Sequence, residues 1–397
     1  MDVGRIREDF PLLQRESPPV YLDSACMALK PRQVLEAVEE YYLEYPGCHG
    51  RSLHSIATKV TEKVSETREK VARMLGADEN EIVFTKNSTE ALNLLAYTLK
   101  LERGKEILGT DKEHNSNLIP WLYKAEREGL IYRTVPLGEE GTFSMENFRE
   151  MLSSQVGLVA MVHTSNLDGT TIPAKEIIEE AHEVGALVVL DAAQSVPHRG
   201  VNVKDLDVDF LVFSGHKMMG PTGTGVLYGK WEHLRELSPF ILGGDTVRET
   251  RYDSYVLLPP PMRFEAGLQN YAGLVGLGAA VDYLMSIPRE EIREHEVKLN
   301  RVITDGIREL DGVHIIGPQD AERRGSICSF YVPGINPQDI AIYLDQQHSI
   351  EIRSGMHCVH SWFLSRGIRG SARASIYIYN TEEEAKRFVE ALRKMLE

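Results

Sequence analysis

Unbroken apolar runs alternate with helical patterns over much of the chain. Glu81-Ile-Val-Phe-Thr85, Val156 to His163, Ala186-Leu-Val-Val-Leu190, Phe210-Leu-Val-Phe213 and Gly223 to Tyr228 read as strands. Their β-branched and aliphatic residues are continuous rather than alternating. This predicts strands covered on both faces, as in a parallel or mixed sheet between helices. His54 to Leu75 places Ile56, Val60, Val64, Val71 and Leu75 on one stripe and stops at Gly76, which predicts a helix. Further helices are predicted over 90–97, after the turn Lys86-Asn-Ser-Thr89, and from Pro173 to Val184 with Gly185 as the stop. After about Pro288 helices predominate, with one short strand pattern at Ser329-Phe-Tyr-Val332. The last helix opens with the capping box Thr381-Glu-Glu-Glu384 and would bury Phe388, Leu392 and Leu396. A domain boundary is placed near 280–290, and Pro259-Pro-Pro261 is a stiff connector.

Composition narrows the class. At 397 residues the chain can bury a large core, and length alone favours roughly two to three domains. A formal charge of −15 argues against nucleic acid or an anionic membrane as partner. Met1 to Leu13 has no apolar core of a leader, and no apolar run approaches the ~18 residues of a membrane span, so a cytoplasmic protein is expected. Cys26, Cys48, Cys328 and Cys358 show no CxxC spacing, which speaks against a disulfide framework or a zinc ribbon.

The candidate chemistry lies at strand ends, where open α/β sheets bind ligands. Thr85 to Glu90, Asn166, Asp191, Gln194 and Ser214 to Lys217 all fall there. Singly, Asp191 could be a helix cap, Lys217 a surface lysine, and Ser88 and Thr89 ordinary capping residues. Together they fit pyridoxal phosphate (PLP) chemistry. Lys217, after an apolar strand, would be a desolvated amine able to hold the cofactor as a Schiff base. Asp191 would face the pyridine nitrogen. Ser88 and Thr89 would offer hydroxyls to the phosphate at a helix N-terminus.

The sequence resembles the class V aminotransferase group of fold-type I PLP enzymes. Within it, the chain is similar to the Suf-type (group II) cysteine desulfurases and selenocysteine lyases. The resemblance rests on Tyr21-Leu-Asp-Ser-Ala25, Thr89-Glu-Ala-Leu-Asn93, Glu113-His114, Pro120-Trp121, Ser165-Asn166, Gly169-Thr170 and Asp191-Ala-Ala-Gln-Ser-Val-Pro-His198. It continues through Phe213-Ser-Gly-His-Lys-Met218, Gly220-Pro-Thr-Gly223, Arg263-Phe-Glu-Ala-Gly267, Arg353-Ser-Gly-Met-His-Cys358 and Arg373-Ala-Ser375 with Tyr379-Asn-Thr381. It implies a large PLP-binding domain over 20–285 with a mixed, mostly parallel seven-stranded sheet, and a smaller α+β domain formed by 1–19 and 286–397.

The resemblance also implies roles. Lys217 would carry the cofactor, Asp191 would pair with the pyridine nitrogen, and Gln194 would bind the ring hydroxyl with Asn166 close by. His114 would stack on the ring. Thr89, Ser214 and His216 would bind the phosphate, with Ser88 as a further hydroxyl. Arg373 would clamp the substrate carboxylate as a guanidinium fork. Cys358 would attack the sulfur of L-cysteine, leaving an enzyme persulfide and L-alanine. Cys358 follows His357 in a glycine-containing loop that suits a reactive thiol, whereas Cys26, Cys48 and Cys328 lack such a setting and read as structural, though Cys48 could be exposed. Adjacent ligands in His357-Cys358-Val359-His360 rarely fit one tetrahedral metal ion. A homodimer that passes sulfur to an acceptor or iron–sulfur scaffold protein is the implied assembly. A selenocysteine lyase, an aminotransferase or an epimerase is the alternative, and a non-catalytic scaffold is the remaining class.

Four departures from the family pattern bear on this. Met356 replaces the first of two histidines before the cysteine, and Val359-His360 follows it in place of Ala-Gln or Ala-Met. Gly50 stands where the family tends to have histidine. Leu268-Gln269-Asn270 replaces Thr-Pro-Asn, whose threonine reaches the phosphate of the partner subunit's cofactor. Leu268 has no side-chain donor for that contact.

Overall fold

A computed structural model describes all 397 residues, except the side chain of Glu140. The apolar runs form the centre of a seven-stranded sheet. Its order is Ile82–Thr85, Gly225–Gly229, Phe210–Ser214, Leu187–Asp191, Val156–Val162, Glu106–Thr110 and Ile131–Val135. Only Gly225–Gly229 runs antiparallel to its neighbours, so the sheet is mixed and mostly parallel. Every residue of Phe210–Ser214 and Gly225–Gly229 is buried, as the unbroken apolar pattern requires. Separate apolar clusters lie on the two faces. Leu190, Leu211 and Phe213 face one, whereas Val189, Phe210 and Val212 face the other.

The strand ends come together because their polar groups are satisfied locally. Asn87 caps the helix Ser88–Thr98, its side chain accepting from the Glu90 amide at 2.9 Å. A Cβ on Gly225 would lie 2.5 Å from the Asn87 backbone, so only glycine lets the neighbouring strand approach this turn. Glu265, from the Arg263-Phe-Glu-Ala-Gly motif, locks the edge strand. It accepts a bidentate pair from buried Arg68 at 2.8 Å and the Phe84 amide at 2.7 Å. That motif residue thus holds the fold at the sheet edge.

The helix predicted over 54–75 is Ser55–Leu75, capped by His54 and ended by left-handed Gly76. Val60, Val64, Val71 and Leu75 are buried, but Ile56 is 41% exposed and Ala57 takes the inward position. The final helix, Glu382–Leu396, has the predicted capping box and buries Phe388 and Leu392, while Leu396 is only partly covered.

Beyond 288 the structure differs from the expectation of one strand among helices. A four-stranded antiparallel sheet is present, ordered His314–Ile315, Ile327–Tyr331, Ser371–Ser375 and Arg353–Gly355. Its strands of two to five residues are too short to show a period in the sequence. Arg353 pairs directly with Arg373 across this sheet. Among the described residues no single helix is long and apolar enough to cross a membrane.

Candidate active site

A cavity of about 200 Å³ opens where the strands of the large sheet end, against the turn 23–26 and the segment 353–373. All eleven predicted site residues line it: Lys217, Cys358, His114, Ser88, Thr89, Asn166, Asp191, Gln194, Ser214, His216 and Arg373. Residues from seven stretches of chain therefore meet in one space.

Asp191 ends its strand and is 3% exposed. One carboxylate oxygen accepts from the Ala193 amide at 3.0 Å. Burial raises its pKa, with nearby Lys217 opposing the shift. Lys217 sits on the short turn Gly215–Lys217 after Phe210–Ser214. Burial lowers its pKa, against the pull of Asp191. Both directions bring the pair nearer its neutral forms, and a neutral amine is a nucleophile.

The hydroxyl end is a network. Ser214 Oγ accepts from the Ser88 amide at 2.9 Å and lies 3.0 Å from Ser88 Oγ. Thr89 Oγ1 lies 2.7 Å from Ser116 Oγ. These hydroxyls cluster at the N-terminus of Ser88–Thr98, where free amides and the helix dipole favour an anion. His216 stands beside them, its pKa lowered to about 4 by burial and by Lys217.

His114 caps the helix Asn115–Glu128, its Nδ1 accepting from the Ser116 amide at 3.0 Å. Burial and the charge of Lys217 lower its pKa to about 3. Its ring is therefore a neutral imidazole at the cavity wall, with the proton on Nε2. Gln194 donates to the Ala25 carbonyl at 2.6 Å, and Asn166 donates to the His357 carbonyl at 2.8 Å. Gln194 Oε1 and Asn166 Oδ1 are buried and have no partner within the protein among the described residues.

Arg373 is 2% exposed. It donates to the Asn166 carbonyl at 2.9 Å and to Asp23 Oδ1 at 3.3 Å, while its Nε is buried without a partner among the described residues. Cys358 is partly exposed. Cys358 and His357 have φ of 59° and 48°, left-handed values that are uncommon for residues other than glycine. The Asn115 amide holds the Cys358 carbonyl at 2.7 Å. His357 Nε2 lies 2.8 Å from Ser371 Oγ.

The reading of Cys26 as structural is overturned. Cys26 lines this cavity, and its Sγ accepts from Arg353 at 2.6 Å. Arg353, His357 and Ser116 also line the cavity and were not singled out as site residues. The register of Arg353 against Arg373, one strand away, is what places it there. Cys48 is partly exposed outside the cavity and Cys328 is buried in the small-sheet core. Among the described residues no group of His, Cys, Asp and Glu is arranged to hold a metal ion.

A mostly parallel sheet whose strand ends carry a buried lysine and carboxylate is the α/β architecture of fold type I. The class-V aminotransferase model matches residues 20–388, and the chain belongs to that family. A probable cysteine desulfurase of Synechocystis sp. is 41% identical to it, covering 98% of this chain and 94% of the relative. A cysteine desulfurase of Haloferax volcanii is 37% identical, covering 99% and 96%. Among solved structures, the apo cysteine desulfurase of Thermococcus onnurineus superposes with a TM-score of 0.95 at 39% identity, covering 99% of this chain and 98% of that one. The S-sulfonic acid form of an Escherichia coli cysteine desulfurase gives 0.92 at 33% identity, covering 100% of both.

Proposed function

We propose that this chain is a PLP-dependent cysteine desulfurase that converts L-cysteine to L-alanine and collects the sulfur as a persulfide on Cys358. The observation that carries the reading is a partly exposed thiol, Cys358, on the wall of the cavity that also holds Lys217, Asp191 and Arg373. The residues present fit the cofactor. Gln194 Oε1 and Asn166 Oδ1 are buried acceptors in need of donors, Asp191 is a buried acid, and hydroxyls gather at a helix N-terminus. Lys217 and Asp191 would hold the ring, Ser88, Thr89, Ser214 and His216 the phosphate, and His114 would cover the ring face.

Bound PLP would supply an electron sink for the substrate's α-carbon. The protein's own groups do the rest. Arg373 fixes the substrate carboxylate, and its buried Nε–H is a donor still without a partner among the described residues. Lys217, whose burial favours the neutral amine, takes a proton from the α-carbon and returns one to the product. Neutral His114 has its Nδ1 occupied as acceptor of the Ser116 amide, which leaves Nε2–H as the donor toward the cavity. The Cys358 thiolate attacks the substrate sulfur, the carbon–sulfur bond breaks, and the sulfur stays on the enzyme.

The same reading includes a homodimer working in the cytoplasm and delivering sulfur to an acceptor, an iron–sulfur scaffold protein in the first instance. It also assigns 20–285 to the large domain, with 1–19 and 286–397 as the small one. Two sets of contacts support that division. The seven-stranded and four-stranded sheets each lie within one part, with Val20–Tyr21 pairing to Ile350–Glu351 as the join between the parts, and Arg7 ties the N-terminal segment to the C-terminal part through Glu384 at 2.8 Å and the Tyr379 carbonyl at 2.5 Å.

The test is release of alanine and sulfide from L-cysteine by the PLP-loaded protein with a reductant present. Cys358→Ala should lose the activity and the sulfur-bearing Cys358 peptide. Turnover by Cys358→Ala at the wild-type rate would sink the persulfide assignment. Activity retained on selenocysteine alone would favour a lyase.

A further inference from the structure

The small sheet brings two guanidinium groups face to face. Arg353 and Arg373 are direct partners across antiparallel strands, so their side chains leave the same face. Like charges so placed repel unless anions answer them. Asp23 answers Arg373 at 3.3 Å. Arg353 donates to the sulfur of Cys26 at 2.6 Å, with Asp23 also near enough to act on its charge. Asp23 lies near enough to the Cys26 thiol for the two to interact, so a carboxylate stands by to take its proton. Nucleophilic cysteines characteristically occupy such electropositive, partly exposed surroundings, and Cys26 is partly exposed.

Cys26 and Cys358 share the cavity and are tied by one strand. Arg353, which holds Cys26, begins the strand Arg353–Gly355 that leads directly to Cys358. Both sulfurs lie close enough to Lys217 to act on its charge. The Cys358 backbone is held at this wall by the Asn115 amide, which donates to its carbonyl at 2.7 Å.

We propose that Cys26 is a second sulfur carrier, which takes the sulfane sulfur from Cys358 within the same cavity. The step rests on the reading of Cys358 as the persulfide-forming residue. The Cys26 thiol gives its proton to Asp23, and the thiolate attacks the outer sulfur of the Cys358 persulfide. A sulfur–sulfur bond forms at Cys26 as the one at Cys358 breaks. The bonding pair leaves on the Cys358 sulfur, which returns to thiolate, and the outer sulfur keeps its proton. No oxidant or reductant is consumed. Cys358 is then free for another substrate while the first sulfur waits on Cys26.

The test is a time course of the PLP-loaded protein with L-cysteine, trapped with an alkylating reagent and read by peptide mass spectrometry. In the wild type, added sulfur should appear first on the Cys358 peptide and then on the Cys26 peptide. Cys26→Ala should carry sulfur on Cys358 only, and Cys358→Ala on neither. Sulfur on Cys358 alone in the wild type at all times overturns the carrier role and leaves the persulfide reading standing. Sulfur on neither peptide overturns the persulfide reading itself. Sulfur on Cys26 in Cys358→Ala overturns the order of transfer. The wild-type time course decides the matter even if a variant fails to fold.

Discussion

The two walls of the cavity are built differently. On the sheet side, Asp191 and Ser214 end strands that are buried along almost their whole length, and Lys217 follows one turn later. On the loop side, Cys358 and His357 adopt left-handed backbone at φ 59° and 48°, which costs roughly 1–2 kcal/mol for each such residue. The strained loop is not left to itself. Asn166 and Asn115, both from the sheet side, hold the His357 and Cys358 carbonyls at 2.8 and 2.7 Å. The rigid wall thus carries the groups suited to a fixed cofactor. The strained wall carries the sulfur, and its shape is set by hydrogen bonds from across the cavity.

The sheet-side wall can be broken at Lys217. Lys217→Ala should lower kcat/KM by at least about 10²–10⁴, the range for a lost proton-transfer group. It should also abolish the cofactor fixed to the protein by borohydride. Cofactor still fixed in that variant would show that another amine does the work.

The seam between the walls is Arg373, which touches Asn166 on one side and Asp23 on the other. Arg373→Lys keeps the charge and loses the fork. The expected outcome is a KM for L-cysteine raised about ten- to a hundredfold, equivalent to the ~1.5–3 kcal/mol of a charged hydrogen bond, with kcat changed less. Steady-state kinetics check this. An unchanged KM with a fallen kcat would place Arg373 outside carboxylate binding.

Behind the sheet-side wall, Glu113 is fully buried next to His114. It accepts from Thr110 Oγ1 and Asn117 Nδ2 at 2.7 Å, Val162 N at 2.9 Å and Thr110 N at 3.1 Å. Burial outweighs these donors and pushes its pKa up to about 7. Its folded value lies above its ordinary 4.5, so the unfolded chain gives up this proton first as pH rises. The stability Glu113 contributes is therefore present below about 4.5 and lost as pH rises through about 7. The loss is at most about 3 kcal/mol. Denaturant melts should show the wild type's advantage over Glu113→Gln shrinking across that window. A constant difference would mean that Glu113 is ionised throughout.

What was legible in the sequence divides along the same line. Asp191, Ser214 and Lys217 follow buried strands whose apolar runs are unbroken, so the pattern led directly to the sheet-side wall. Two strands of that sheet were missed. Ile131–Val135 is an edge strand with only Val135 buried, and its residues do not form an apolar run. Glu106–Thr110 offers only Ile107 and Leu108 as an apolar run before Gly109. The loop-side wall depends on pairings with no local signal. Arg353 meets Arg373 through strand register, and Cys26 meets Arg353 across 327 residues of sequence. A cysteine read from its neighbours in sequence alone showed none of this. The family resemblance supplied Cys358 and Arg373, but Cys26 lies just beyond the motif that carries it.

The smallest expected effect tests whether the rigid wall is complete within one chain. Leu268 is 66% exposed and stands where the family has a threonine directed at a partner subunit's cofactor. It is outside the set of residues lining the cavity, so in the proposed homodimer its route to a cofactor is across the subunit boundary. Leu268→Thr would restore one hydroxyl donor, worth about 0.5–1.5 kcal/mol as a net hydrogen bond. Cofactor release from the proposed dimer should slow by about two- to tenfold, followed by PLP absorbance after dilution into a trapping reagent. Slowing that persists in a monomeric form would place the new hydroxyl within the chain's own cavity. No slowing in the dimer would mean that the sheet-side hydroxyls of Ser88, Thr89 and Ser214 already satisfy the phosphate, and that the rigid wall needs no second copy to hold its ligand.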